Sequence, residues 1–163
     1  ESHWLFDMPW ERIDVVIHPQ SIIHSMVEFC DGSVKAQMGP PDMRLPIQYA
    51  LFHPKRVSNP SLPRFDAIRN HSLTFEPLEP KLYPCFDIAL EAGKAGGPYT
   101  ISLNAADEVA VDLFLKERIG FLDIYRVVSQ TLEAAQPTCD GSPDSILETD
   151  KWARARAREI AAA

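Results

Sequence analysis

Long apolar runs and cysteine frameworks are both missing from this chain. No stretch approaches the ~18 apolar residues of a spanning helix, so no membrane partner is expected. No signal-peptide pattern is present either. Three cysteines, Cys30, Cys85 and Cys139, stand far apart with no C-x-x-C pair. That argues against a disulfide framework or a zinc ribbon and fits a reducing compartment. Basic residues are in deficit, with a net charge of -7. A non-specific nucleic-acid binder would carry the opposite surplus to neutralise phosphates, so no nucleic-acid partner is expected. Gly-rich dinucleotide and P-loop fingerprints, H-E-x-x-H and G-x-S-x-G are all lacking. Gly93 to Gly97 follows a helical pattern rather than a strand and reads as a helix stop. A start is lacking too. The chain opens on Glu1-Ser2-His3-Trp4-Leu5-Phe6, which reads like the inside of a helix cut from something longer.

What is present is ordinary globular composition. The 163 residues are 45% apolar and 24% charged, enough for one compact domain or two small ones. Asp7-Met8-Pro9 breaks the opening helix. Residues 13–17 form a short apolar run suited to a buried strand, and His18-Pro19-Gln20-Ser21 reads as a turn.

The segment 22–38 reads as a hairpin centred on Asp31-Gly32, a favoured pair for a two-residue type I′ turn. That register sets Phe29 against Val34, Glu28 against Lys35 and His24 against Gly39. One face then gathers Phe29, Val34, Val27, Ala36 and Met38 as core. The facing charges of Glu28 and Lys35 add a few tenths of a kcal/mol. Gly39-Pro40-Pro41 makes a stiff corner, and a helix is expected from near Pro46 to His53-Pro54, with Ile47, Ala50 and Leu51 on one stripe.

Pro54, Pro60, Pro63, Pro77 and Pro80 mark a connector. Beyond it the pattern is helical. Residues 84–93 form an amphipathic stretch ended by Gly93 and the Gly96-Gly97-Pro98 stop. Asn104 reads as an N-cap, with Asp107 and Glu108 absorbed by a capping box. The next helix starts near Asp123 with Ile124, Val127, Val128, Thr131 and Leu132 on one face, and stops at Gln136-Pro137. Ser142-Pro143 opens the last helix, which pairs Asp150 with Arg154 at i,i+4. Four helices with short connections predict a small antiparallel bundle, so the fold class expected is α+β.

Candidate site residues are few. His18 and His24 are spaced by six across a turn with no third ligand, which is little for a metal site. His18 reads as a turn histidine bonded to backbone. His24 has two readings, structural or functional, and both stand on residues alone. Met43 is either a gap-filler or a polarizable contact for a ligand. Asp42 and Arg44 read as a helix-start charge and an ion-pair partner. Lys151, Arg154, Arg156 and Arg158 read as a solvated helix face. Trp4, Trp10 and Trp152 read as packing.

A family pattern runs through these residues. Ile17-His18-Pro19-Gln20-Ser21, His24-Ser25-Met26-Val27, Asp31-Gly32-Ser33-Val34 and Pro41-Asp42-Met43-Arg44 resemble the C-terminal half of 1-deoxy-D-xylulose 5-phosphate reductoisomerase. Tyr83-Pro84-Cys85 and Leu103-Asn104-Ala105-Ala106-Asp107-Glu108 continue it, to about residue 135. The last 28 residues match only in being helical.

The resemblance implies an oxidoreductase and isomerase. The family converts 1-deoxy-D-xylulose 5-phosphate to 2-C-methyl-D-erythritol 4-phosphate in non-mevalonate isoprenoid synthesis. It uses NADPH and Mg²⁺ or Mn²⁺ and acts as a homodimer through the catalytic-domain sheet. On this basis residues 1–54 are the end of the catalytic and dimerisation domain, 55–80 a linker and 81–163 a C-terminal helical bundle. The family's nucleotide, metal and phosphate sites would precede this chain. Glu1 matches a position one turn beyond a metal ligand, so no metal role passes to it. What the resemblance carries over is His24 and Met43 towards substrate and Pro41 towards the cofactor. The expected location is the bacterial cytoplasm, or a plastid. The alternative reading is a non-enzymatic dimerisation or interaction module, inviting self-pairing at open hairpin edges.

Overall fold

The computed structural model describes residues 2–135 and 139–163. Glu1 and the helix stop expected at Gln136-Pro137 lie outside them. The fold is α+β, with two small antiparallel sheets and six helices among the described residues. Contacts divide the chain into Ile13–Leu78 and a helical unit made of Glu1–Arg12 with Glu79–Ala163. These units are defined by contact, whereas 1–54, 55–80 and 81–163 were family domains. The difference is that residues 1–12 join the helices and 55–78 join the hairpin.

In the first unit, β1 (Val16–Ile17) pairs with β4 (Glu76–Pro77), and β2 (Ile23–Glu28) pairs with β3 (Val34–Met38). The supposed connector therefore returns to pair with the start of the unit. Only two of the five residues 13–17 are strand.

The hairpin register differs from the expected one by a residue. Phe29 N–H donates to Ser33 O (2.8 Å) and Gly32 N–H to Phe29 O (2.9 Å), so the loop is Cys30-Asp31-Gly32. A type I′ turn needs positive φ at both central residues, but of the Asp31-Gly32 pair only Gly32 has it, at 81°. Asp31 instead accepts from Ser33 N–H (2.9 Å) and Ser33 Oγ–H (2.6 Å), and Gly32 forms the left-handed bulge of a three-residue loop. Glu28 consequently faces Val34, and Lys35 faces Val27. The expected Glu28–Lys35 pair is not made, and Lys35 Nζ lies 5.3 Å from the Phe29 ring centre. The slip also splits the expected core face. Val27 and Val34 are 55% and 54% exposed, and every residue of β3 is exposed.

Helix α2 (Arg44–Phe52) begins two residues before Pro46, which sits in the first turn where its missing N–H costs nothing. Its Ile47 and Leu51 stripe is uncovered.

The second unit opens with α1 (Ser2–Phe6) and a 3-10 turn at Trp10–Arg12. Its bundle comprises α3 (Pro84–Ala95), α4 (Pro98–Leu115), α5 (Phe121–Glu133) and α6 (Pro143–Ala162). Small residues set its geometry. Ala106 and Ala110 on α4 and Ala153 and Ala157 on α6 are all fully buried, so little side-chain bulk separates the two helices. Val109, Val127, Val128 and Ile160 fill the remaining core. Thr131 enters this core because its hydroxyl donates to Val127 O (2.7 Å).

Three expectations for the helices need correction. Asn104 lies inside α4 rather than at its start; α4 begins at Pro98, whose fixed φ suits a first helical position. Glu108 is therefore no cap, and it accepts instead from Arg154 on α6 (2.6 Å), which also holds Asp150 (2.8 Å). Arg154 thus ties two helices rather than lying on a solvated face. Gly93 does not end the helix, since α3 continues to Ala95 and stops at the expected Gly96-Gly97-Pro98. A Cβ there would stand 2.8 Å from Trp10 Cη2, so glycine is what lets Trp10 lie against α3, with His3 stacked on it at 4.3 Å. The starts of the last two helices fit the sequence better. Asp123 accepts from Gly120 N–H (2.9 Å), and Ser142 Oγ from Ser145 N–H (3.3 Å).

Replacing Gly93 by valine should lower stability by about 1–3 kcal/mol, through overpacking against a rigid indole. Thermal unfolding with tryptophan fluorescence measures it. An unchanged midpoint and unchanged emission would show that Trp10 does not rest there.

Candidate functional site

The first unit holds a cavity of about 650 Å³ at the end of the hairpin remote from its turn. Ser21, His24 and Gln37 form one side, and Pro40, Pro41, Asp42 and Met43 form the corner. Leu45, Pro46 and Tyr49 of α2, with Arg56 beyond it, complete the lining.

A β-bulge aims His24 at this place. Ile23 pairs with Met38 and Ser25 with Gln37, leaving His24 as the extra residue of β2. Its Nε2–H donates to Gly39 O at 2.9 Å. A carbonyl only accepts, so this bond fixes the hydrogen on Nε2 and leaves Nδ1 to other partners. Gly39 N–H donates to Ile22 O (2.9 Å) in the same pairing. Gly39 is thus held through both backbone groups, and Pro40-Pro41 continues from a fixed point.

Asp42 and Arg44 lock the corner from the other side. Arg44 Nε–H donates to both carboxylate oxygens of Asp42 (2.9 and 3.1 Å), and Arg44 Nη2–H to Oδ2 (2.5 Å). The Arg44 backbone N–H donates to Asp42 Oδ1 (3.0 Å), so one carboxylate anchors both the side chain and the first turn of α2. These bonds hold the Asp42 carboxyl down from 3.8 to about 2, the Arg44 side chain being the largest cause. Met43, between the two, is 71% exposed and so open to a ligand on the cavity side.

The structure brings His24, Pro41 and Met43 to one cavity. It places His18 elsewhere. His18 Nδ1–H donates to Thr74 O (2.8 Å), and its ring stacks on Phe75 at 4.8 Å. Among the described residues no three His, Cys, Asp or Glu side chains are grouped to hold a metal ion. The family's metal therefore does not fit the residues present.

Sequence reasoning missed Ser21, Tyr49 and Arg56. Tyr49 carried a signal, since it lies one helical turn from Leu45 and Pro46 on a single face. Arg56 carried none. It is placed by stacking its guanidinium 4.2 Å from the Tyr49 ring centre, and Gln48 tethers the neighbouring Val57 carbonyl (2.8 Å).

The motif residues of the helical unit make no comparable site. Partial burial raises the Cys85 thiol, and Asp107 raises it further. Asp107 is itself pushed up by burial and by Glu108, whereas Arg154 holds Glu108 down.

Comparison with known proteins points one way. A family model described as "DXP reductoisomerase C-terminal domain" matches residues 38–156. The 1-deoxy-D-xylulose 5-phosphate reductoisomerase 1 of Bacillus thuringiensis subsp. konkukian is 49% identical over 160 residues, 98% of this chain and 41% of the relative. The reductoisomerase of Acetivibrio thermocellus is 48% identical over 98% of this chain and 42% of its own. Among solved structures, the reductoisomerase of Zymomonas mobilis in complex with NADPH superposes with a TM-score of 0.90 at 39% identity, over 99% of this chain and 43% of that one. A DOX-P reductoisomerase in complex with NADPH, fosmidomycin and magnesium gives 0.92 at 35% identity, covering 99% of this chain and 41% of that one. Similarity thus runs past residue 135, which corrects the expectation that the last 28 residues match only in being helical. The chain spans about two fifths of the length of these curated relatives.

Lowering pH should protonate Asp42 only near 2. Its folded value is depressed, so the stability it lends is present above 3.8 and is lost as pH falls through about 2. Carboxyl carbon shifts followed by NMR measure this, and Arg44→Gln should move the midpoint up towards 3.8. A midpoint of 3.8 in the unsubstituted chain would show that the corner lock does not form.

Proposed function

Because the chain belongs to the 1-deoxy-D-xylulose 5-phosphate reductoisomerase family, we propose that it is part of an NADPH-dependent enzyme making 2-C-methyl-D-erythritol 4-phosphate from 1-deoxy-D-xylulose 5-phosphate. In this reading residues 1–54 close the catalytic domain, 55–80 link, and 81–163 form the C-terminal helical domain. The observation that carries the proposal is the cavity where His24, Pro41 and Met43 meet. The residues singled out by resemblance are the ones that the bulge and the corner assemble.

His24 acts by donating to Gly39 O, which holds the corner that orients the ligands. Met43 packs on the substrate and Pro41 on the cofactor's nicotinamide. Arg56 gives the cavity a cation, which suits phosphate-bearing ligands. Hydride and Lewis-acid chemistry come from NADPH and Mg²⁺ or Mn²⁺, held by the rest of the protein. The chain's own residues orient ligands and exclude water.

Homodimer formation through the catalytic-domain sheet belongs to the same proposal. Its support is the exposed apolar side chains on β2 and β3, Met26 and Val34 on one face and Val27 on the other. No helix among the described residues is long and apolar enough to cross a membrane. A cytoplasmic enzyme acting on a small sugar phosphate fits three cysteines that are all free.

The test is NADPH oxidation with substrate, alongside the intact mass of the native protein. Turnover by a native chain of 18.3 kDa would overturn the reading that this is one part of the enzyme. In the whole enzyme, His24→Gln should lower turnover by about tenfold to a hundredfold with little loss of folding. Unchanged kinetics would make His24 structural. Met43→Ala should raise the substrate KM several-fold with a smaller effect on kcat, because it removes a packing contact present throughout the reaction.

A further inference from the structure

The pairing of β1 with β4 does not stop where its backbone bonds stop. Val16 faces Pro77 and Ile17 faces Glu76. One step further, the antiparallel register sets His18 against Phe75, and those rings stack at 4.8 Å and 21°. Beyond it the ladder ends, because Pro19 and Gln20 form a turn.

Side chains on either side of Pro19 hold the turn to Thr74 instead. His18 Nδ1–H donates to Thr74 O (2.8 Å). Thr74 N–H donates to Gln20 Oε1 (3.2 Å), and Gln20 Nε2–H donates to Thr74 Oγ1 (2.8 Å). Both backbone groups of Thr74 are thereby satisfied, by residues 54 and 56 positions earlier in the chain.

This anchor connects to the cavity through observed bonds alone. Ser21 N–H donates to His18 O (3.0 Å), closing the turn, and Ser21 itself takes a φ of 50° while lining the cavity. Non-glycine residues adopt such a φ only when their surroundings impose it. Ile22, next along, is buried, and its carbonyl accepts from Gly39 N–H (2.9 Å). The Gly39 carbonyl accepts from His24 Nε2 (2.9 Å).

We propose that Gln20 and Thr74 are positioning residues for His24: their side-chain bonds fix the turn from which the His24 bulge starts. Thr74 lies outside every motif that marks the family in the sequence. Its role follows from its bonds to His18 and Gln20. Only the kinetic consequence rests on the proposed function.

Ring-nitrogen NMR of the histidines in this chain tests the proposal directly. The unsubstituted chain should show hydrogen on Nδ1 of His18 and on Nε2 of His24. Gln20→Met and Thr74→Val should each shift the His24 ring signals and weaken the Nε2–H signature. Thr74→Ser, which keeps the hydroxyl, should restore both. His24 signals unchanged in a folded Gln20→Met or Thr74→Val chain would overturn the proposal, even with a lowered melting temperature. In the whole enzyme, Thr74→Val should lower kcat by about fivefold to tenfold with KM nearly constant, the size expected for losing one hydrogen bond. Absence of turnover in the unsubstituted enzyme would overturn the proposed function and leave the ring signals to decide the inference. Full turnover with Thr74→Val would count against the positioning role.

Discussion

The bond from His24 Nε2–H to Gly39 O ties β2 to the corner that walls the cavity. It spans the wide end of a hairpin that has no covering layer within its own unit. Two strands alone are marginal in water, so such an end frays unless a side chain closes it. The bulge makes closure possible. With His24 as an extra residue, its ring is released from the alternation of the strand and turned onto the partner backbone. Gly39, fixed through both its N–H and its carbonyl, then gives Pro40-Pro41 a rigid origin, and the Asp42–Arg44 pair fixes where α2 departs.

This arrangement separates two kinds of stability. The helical unit is held by a packed core of small residues, with Arg154 bridging α4 and α6 at its edge. Arg126 adds a second tie, donating from α5 to the Ile160 carbonyl (3.0 Å). Packing of that kind tolerates little change in volume. The hairpin unit leans instead on directional bonds between groups that water also reaches. Each such bond contributes only about 1 kcal/mol net, and several in series give geometry rather than stability. A cavity wall needs geometry most.

The sequence disclosed the helical unit well because its signals are local. The stripe of Val127, Val128 and Thr131 appears at helical spacing and is buried, and Ser142-Pro143 starts α6 as an N-cap followed by proline should. Errors came where two local signals compete. Asp31-Gly32 fits a two-residue turn, but Asp31 satisfies its carboxylate through Ser33 and so leaves the positive φ to Gly32 alone. Asn104 and Asp107 resemble a cap, yet Pro98 had already begun the helix. Long-range partners left no trace at all. Nothing near Gly93 names Trp10, nothing near Gln20 names Thr74, and nothing near Arg56 names Tyr49. The pairing of His24 with the corner was anticipated from a register that the structure does not have. It survives because the His24 side chain reaches the Gly39 carbonyl, although slip and bulge together set Gly39 beside Ile22.

The proposal that this corner is a wall of a reductoisomerase active site is tested best by a crystal structure of the whole enzyme with NADPH and sugar phosphate bound. Pro41 and Met43 should then be in van der Waals contact with the bound molecules, with His24 Nε2 still on the Gly39 carbonyl. Ligands bound elsewhere, with the corner cavity empty or filled by another part of the protein, would contradict it.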